Sequence, residues 1–205
     1  MDFKDKTLAD FTALLASREA TPGGGGASAV AAALASALGA MVGNLTIGKK
    51  KYAEVEYEMI ELTEKAQVLS RKLLNMADED AIAFEPLSQA YSLPADTPDR
   101  DDILEACLRR AADAPLRILR LCCEVIELQE QFAAKGSVLA VSDAATGAVL
   151  AWGAMYGAAV NVKVNTKLMK RRDYADEVNR EVDTLMEEYW KRAEKVFEDI
   201  YGRYC

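Results

Sequence analysis

The chain has 205 residues, a formal net charge of −8, four cysteines and no histidine. That length is one domain's worth and can bury a sizeable core, and the acidic balance opposes general nucleic-acid binding because a phosphate backbone would be repelled. Without imidazole there is no Ser-His-Asp triad, His-ligated zinc or histidine base, so acid–base work falls to Asp, Glu, Lys, Tyr or Cys.

Met1 to Glu19 alternates charge with Leu8, Phe11, Leu14 and Leu15 at helical spacing, which predicts an amphipathic helix. Its acids at 2, 5, 10 and 19 exclude a secretory signal. Thr21-Pro22-Gly23-Gly24-Gly25-Gly26 follows. Four consecutive glycines lose the most backbone entropy on ordering and are expected to be a loop. It feeds an Ala-rich, uncharged helix from Ala27 to Ile47, with Gly48 as its exit. Either the bare loop admits an anion or carbonyl to a helix N-terminus, or the glycines merely let two helices pack closely. GGGG matches neither GxGxxG nor a P-loop.

A second charge-free stretch runs from Ala144 to Val162. Both are long enough to span a bilayer, yet they are built of Ala, Gly and Ser, so no membrane role is expected. Gly39-x-x-x-Gly43 and Gly153-x-x-x-Gly157 put two glycines on one face of each helix and predict a closely packed, buried central pair, within one subunit or across a dimer seam.

Between them, Val55, Met59, Leu62, Ala66, Leu69, Leu73 and Met76 give a long amphipathic helix from Tyr52 to Ala83, continuing or kinking through Pro86 to Tyr91. Ser92 to Arg100 is a loop. Asp101 to Ala133 is helical around Pro115, and Gly136 suits a left-handed cap. The chain is then helical from Ser142 to about Lys167 and from Asp173 to near Gly202. With no period-2 alternation of strand length and no internal repeat, the expected fold is all-α. Residues 1–205 form a single domain, a bundle of long helices around two Ala/Gly-rich buried ones. The cysteines at 107, 122, 123 and 205 lack CxxC spacing, and adjacent Cys122 and Cys123 suit a bridge poorly, so they read as reduced thiols of a cytoplasmic protein.

Two basic clusters oppose the global charge: Lys49, Lys50 and Lys51, and Lys163, Lys167, Lys170, Arg171 and Arg172. Each follows an uncharged helix and suggests either an anionic ligand or a solvated helix end complementing its dipole. Asn44 closes the first helix; Asn161 and Asn165 share a face of the second. Asp78, Asp80 and Asp143 are the acid candidates, with Asp78 and Glu79 also reading as plain helix surface. Asp80 and Phe84 lie one turn apart, and a carboxylate against that ring would have a raised pKa. Ser142-Asp143 reads equally as a helix cap with a first-turn acid.

The order Thr21-Pro-Gly-Gly-Gly, Ala-rich helix, Asn44-Leu-Thr-Ile-Gly-Lys-Lys-Lys-Tyr52 resembles the formiminotetrahydrofolate cyclodeaminase and methenyltetrahydrofolate cyclohydrolase family. Asp78-Glu-Asp-Ala-Ile-Ala-Phe84, Ala114-Pro115-Leu116, Val141-Ser142-Asp143 and Asn161-Val-Lys-Val-Asn165 fall in the family's order, so the resemblance spans nearly the whole chain. Ser137 and Leu139 stand where a more polar, Asn-containing run is expected. The resemblance implies a folate enzyme acting on the one-carbon bridge between N5 and N10, without metal or redox cofactor, as a homodimer. The favoured activity is the cyclohydrolase, since no formiminotransferase domain accompanies the chain; the alternative is the cyclodeaminase. It implies catalytic roles for Asp143, Asp80 and Lys50. It further implies folate contacts from Pro22, Gly23, Gly24, Gly25, Asn44, Thr46, Lys49, Lys51, Tyr52, Phe84, Ser142, Asn161 and Asn165, with lysines on the glutamyl tail. A rival from another class is a helical interaction protein without catalysis.

Overall fold

A computed structural model describes residues 2–204. Among them the regular structure is helical: α1 (Leu8–Leu15), α2 (Gly24–Asn44), α3 (Glu56–Tyr91), α4 (Arg100–Lys135), α5 (Val141–Leu168) and α6 (Arg172–Tyr201), with 3₁₀ turns at Phe3–Asp5 and Lys50–Val55. The all-α expectation holds. α1 is shorter than its periodicity suggests. Thr7 caps it by accepting the N–H of Asp10 at 3.1 Å, and of its side chains only Phe11 is buried.

α2 and α5 run antiparallel through the middle, flanked by α3 and α4, with α6 against α4 and α5. At one end Gly24 of α2 meets Asn161 of α5, and one turn on Ser28 meets Gly157. At the other end the N–H of Ser137, just before α5, donates to Thr46 Oγ1 at 2.8 Å. Small residues permit the close approach, although the glycines serve other partners than the pattern suggests. Gly39 and Gly43 receive the ring of Phe132 from α4, Gly43 also faces Thr63, and nothing lies within 4 Å of a Cβ built on Gly153. The buried Gln129 of α4 threads between the pair, its Nε2 donating to the carbonyl of Ala35 at 2.6 Å.

The central pair is not buried all round. Leu34, Met41, Tyr156, Val160 and Val164 are exposed, so α2 and α5 present an uncharged apolar stripe. By length and composition α2 is long and apolar enough to cross a membrane, but most of it is inside the core.

Two prolines sit within helices without ending them: Pro86 in α3 and Pro115 in α4. Gly136 terminates α4 in an extended conformation (φ −71°, ψ 170°), not the expected left-handed one. A Cβ there would lie 2.5 Å from the Phe132 carbonyl and 2.6 Å from Val42 Cγ1, so the position demands a small residue for contact. Gly48 is the left-handed exit, with φ 78°. Cys107, Cys122 and Cys123 are free thiols; Cys205 lies outside the described residues.

Candidate functional site

The glycine run behaves differently from the loop expected of it. Gly24, Gly25 and Gly26 form the first turn of α2, with Gly23 at the N-cap. Their neighbours explain why helix propensity is overridden. A Cβ on Gly25 would stand 2.3 Å from Asp80 Oδ1, and one on Gly24 would stand 2.8 Å from Asn161 Nδ2. Asp80 of α3 and Asn161 of α5 thus occupy the space that side chains on α2 would fill. Gly23 brings no side-chain cap. Asp80 replaces it from another helix, accepting the N–H of Gly26 among the groups a helix start leaves without intrahelical acceptors.

This contact opens into a cavity of about 180 Å³ lined by Ala20, Thr21, Gly23, Gly24, Gly25, Asp80, Phe84, Ala111, Pro115, Asn161, Val164 and Asn165. Among the described residues, Asp80 is its only ionisable lining residue. Burial pushes the Asp80 carboxyl up to about 6, against the Gly26 N–H, which favours the ionised form. It therefore changes protonation close to neutral pH, as a proton-transfer group must. Asn161 Nδ2 donates to the Gly157 carbonyl at 2.8 Å, and Asn165 Nδ2 donates to Ala111 and Asn161 carbonyls at 3.1 and 3.0 Å. Asn165 thus spends both its N–H groups and Asn161 one of its two on helix carbonyls, which leaves the amide oxygens as acceptors.

The remaining expected residues lie at the opposite end of α2, whose 21 residues extend about 30 Å. There Lys49 Nζ donates to Ser137 Oγ at 3.0 Å, the Val138 N–H donates to the Tyr52 hydroxyl at 3.0 Å, and Lys51 stands over the Tyr52 ring at 5.5 Å. Accepting that N–H, with Ser137 and the lysines nearby, holds the Tyr52 phenol below its usual range. Thr46 is buried, donating to the Val42 carbonyl at 2.7 Å while accepting from Ser137. Lys50 and Lys51 are exposed. Asn44 faces a separate groove between α2 and α3 with Met41, Gln67 and Arg71. Ser142 is exposed in the first turn of α5 rather than capping it, since the N-cap is Ala140; Asp143 is a half-buried first-turn acid.

One subunit therefore brings together Gly23, Gly24, Gly25, Asp80, Phe84, Asn161 and Asn165. Pro22 packs behind them, its Cβ 3.3 Å from a Cβ built on Gly26. Asp143, Lys50, Thr46, Lys49, Lys51, Tyr52, Asn44 and Ser142 are not part of that cavity. The second basic cluster is largely neutralised: Lys170 pairs with Asp101, Arg171 with Asp102, Arg172 with Asp176 and Lys163 with Asp183, at 2.5 to 2.8 Å. Asp78 is buried and accepts the Phe3 N–H at 2.6 Å, which removes the surface reading for it. Ala111 as a cavity wall carries no chemical signal that sequence reading could have used; Pro115 stood out only within the Ala114-Pro115-Leu116 run and Ser137 only as a departure from the family's pattern, and neither points to a wall or to the anchor of Lys49. Among the described residues no three His, Cys, Asp or Glu side chains gather in a metal-binding group.

Residues 7–184 match the family model described as formiminotransferase-cyclodeaminase. The chain is 40% identical over 203 residues to the methenyltetrahydrofolate cyclohydrolase of Methylorubrum extorquens, covering 97% of this chain and 98% of that one. It is 29% identical over 203 residues to the formimidoyltransferase-cyclodeaminase of Mus musculus, of whose length it spans 38%. The crystal structure of formiminotetrahydrofolate cyclodeaminase from Thermotoga maritima superposes with a TM-score of 0.84 at 30% identity, covering 97% of this chain and 98% of that one. On the fold and these matches together, the chain belongs to the formiminotransferase-cyclodeaminase family.

Proposed function

We propose that the protein hydrolyses 5,10-methenyltetrahydrofolate to 10-formyltetrahydrofolate, with Asp80 moving the protons. The observation that carries this reading is a carboxyl with a pKa of about 6 in a cavity at a helix N-terminus, in a chain 40% identical to a methenyltetrahydrofolate cyclohydrolase. Water adds to the cationic methenyl carbon and loses a proton to Asp80, which passes it to solvent. The neutral carbinolamine then breaks its C–N5 bond as its hydroxyl proton is transferred to N5, leaving the formyl group on N10. The Asp80 carboxylate also stabilises the cationic substrate. Asn161 and Asn165 offer acceptor oxygens to the N–H edge of the pterin. None of these steps requires a metal or redox group.

The cavity, about 180 Å³, is smaller than the ~300 Å³ at which pockets begin to enclose a drug-sized ligand, so it takes the head of a folate and not its tail. A homodimer resolves the separation of the two ends. The exposed apolar stripe of α2 and α5 has the acid cavity at one end and Lys49, Lys50 and Lys51 at the other. A two-fold axis across that stripe sets the lysine end of one copy beside the cavity of the other. In this arrangement Lys49 and Lys51 hold the glutamyl carboxylates, and Tyr52 and Asp143 approach the substrate from the second copy.

Similarity to the Thermotoga cyclodeaminase supports a second reading with the same residues. N10 attacks the carbon of 5-formiminotetrahydrofolate and its proton passes to the imine nitrogen; protonated Asp80 then gives that nitrogen a second proton as its bond to the carbon breaks, releasing ammonia and leaving the 5,10-methenyl cation. A purely structural helical protein leaves the Asp80 cavity without purpose. Purified protein given methenyltetrahydrofolate should remove its absorbance; given the formimino substrate it should release ammonia only if the second reading holds. Inactivity towards both would overturn the proposal.

A further inference from the structure

The 3₁₀ turn that follows α2 is tied to the link between α4 and α5 through one buried hydroxyl, that of Ser137, which is 1% exposed. The Ser137 N–H donates to Thr46 Oγ1 at 2.8 Å, and Thr46 donates in turn to the Val42 carbonyl of α2 at 2.7 Å, so the residue is fixed to the core. Its Oγ accepts from Lys49 Nζ at 3.0 Å, which leaves the hydroxyl proton for its other partner, the Tyr52 oxygen. The Val138 N–H donates to the same oxygen at 3.0 Å. Among the described residues nothing accepts the Tyr52 O–H, and Lys49 has spent only one of its ammonium N–H groups. Nor does any described carboxylate pair with Lys49, because Glu56 accepts the Gly48 N–H at 3.0 Å and Glu58 pairs with Lys135. Holding a long lysine on a neutral serine gives up side-chain entropy while leaving its charge unmatched.

We infer that Ser137 is a positioning residue that fixes Lys49 and Tyr52 as a two-donor seat for one carboxylate, which on the proposed function belongs to the glutamyl tail of the folate. The ammonium supplies charge and the phenol supplies a directed O–H, a combination that suits a carboxylate oxygen pair. Both donors are held on Ser137 before a ligand arrives, so binding does not have to order them. The Val138 bond, the Ser137 bond and the positive charges of Lys51 and Lys49 hold the Tyr52 proton less tightly than in an ordinary tyrosine, while burial opposes them. A more acidic phenol is the stronger hydrogen-bond donor. A carboxylate that accepts the Tyr52 O–H acts in the other direction: it stabilises the protonated phenol and places negative charge beside the phenolate. The Tyr52 titration therefore reports whether the seat is filled.

The test uses the full chain at low salt with γ-linked tetraglutamate, which carries no pteridine, as the probe. Tyr52 is titrated through the carbon-13 signal of its Cζ, assigned by its loss in Tyr52→Phe. Saturating tetraglutamate should raise the wild-type Tyr52 midpoint. In Ser137→Ala, whose backbone N–H still reaches Thr46, the midpoint of the free protein should rise toward the ordinary 10.0, and calorimetry should show tetraglutamate bound roughly tenfold more weakly. Lys49→Met and Tyr52→Phe should each weaken the peptide by a similar factor, and they carry the comparison if the alanine variant does not fold. A wild-type midpoint that ignores tetraglutamate overturns the seat. So does a Ser137→Ala protein that shifts Tyr52 but binds the peptide like the wild type, because the hydroxyl would then only join the turn to the link. Neither readout involves turnover: peptide binding as expected in a protein inactive on folates refutes the proposed function alone, and an active enzyme whose Tyr52 ignores the peptide refutes the seat alone.

Discussion

The two ends of the α2–α5 pair carry opposite electrostatics. At the Asp80 end a single carboxyl sits against a helix N-terminus, walled by glycine, amides and apolar groups, and its affinity for a proton is raised by desolvation. At the Lys49 end three lysines stand on the surface around a Tyr52 phenol whose proton is held less tightly, chiefly because its oxygen accepts the Val138 N–H. The dry end can exchange protons near neutrality; the wet end offers positive charge at long range. Under the proposed function the buried end moves protons and the exposed end takes the glutamyl tail, and the length of α2 sets the two about 30 Å apart in a subunit.

Asp80→Asn should produce the largest effect. It keeps the shape and a hydrogen-bond acceptor for Gly26, so turnover should fall by roughly 10² or more with fold and folate affinity largely retained. The same change should stabilise the protein near pH 7. The folded carboxyl titrates at about 6 and the unfolded one at 3.8, so between those values the folded state binds more protons and wild-type stability declines as pH rises. The Tm advantage of the variant should therefore grow from pH 4 to pH 7. Equal turnover of both proteins would reassign the proton chemistry to the other end.

Gly25→Ala is next. Its new carbon would lie 2.3 Å from Asp80 Oδ1, forcing the carboxylate or α2 to shift. A loss of ~1–3 kcal/mol in stability, with activity falling at least tenfold, is expected from overpacking and displacement of Asp80. Calorimetry and steady-state kinetics check it; an active, stable variant would separate Asp80 from the chemistry.

Replacing Lys49, Lys50 and Lys51 together by Gln should raise KM for polyglutamylated folate several-fold more than for the monoglutamate, and added salt should narrow the difference. Equal losses would move the lysines nearer the ring. Gly153→Leu sharpens the dimer argument, because nothing lies within 4 Å of that position inside a subunit. An isolated subunit gains up to ~1 kcal/mol of helix propensity. A paired one should dissociate, as sizing would reveal. Asp143→Asn should have the smallest effect, ~0.3–1 kcal/mol in stability if the first-turn acid acts only on the α5 dipole. Weaker folate binding at unchanged turnover would instead give Asp143 a place in recognition.

Much of the fold was legible because apolar periodicity and Ala content determine which segments are helices and which face they bury. Pro86 and Pro115 lie in helices too long and well packed for one lost hydrogen bond to end them. The glycine run misled for a related reason: local propensity disfavours helix at Gly24–Gly26, but the first turn of α2 is fixed by Asp80 and Asn161 from segments distant in sequence. Pairing Asp80 with Phe84 follows from one turn of helix, and both line the cavity. Separating Asp80 from Asp143 does not, because it depends on α2 and α5 being antiparallel. The neutralisation of Lys170 and Arg171 by Asp101 and Asp102 of α4 was equally out of reach of local pattern.

The first turn of α2 also constrains how this sequence can drift. Gly24, Gly25 and Gly26 each face a different neighbour, Asn161, Asp80 and Pro22, so no single compensating change elsewhere makes room for side chains at all three. Saturation mutagenesis should record three adjacent intolerant codons. Gly23, with nothing within 4 Å, should form a permissive border on one side. Where the first turn of a helix and a titrating carboxyl share one volume, a better helix former at position 25 can enter only if the acid at position 80 moves.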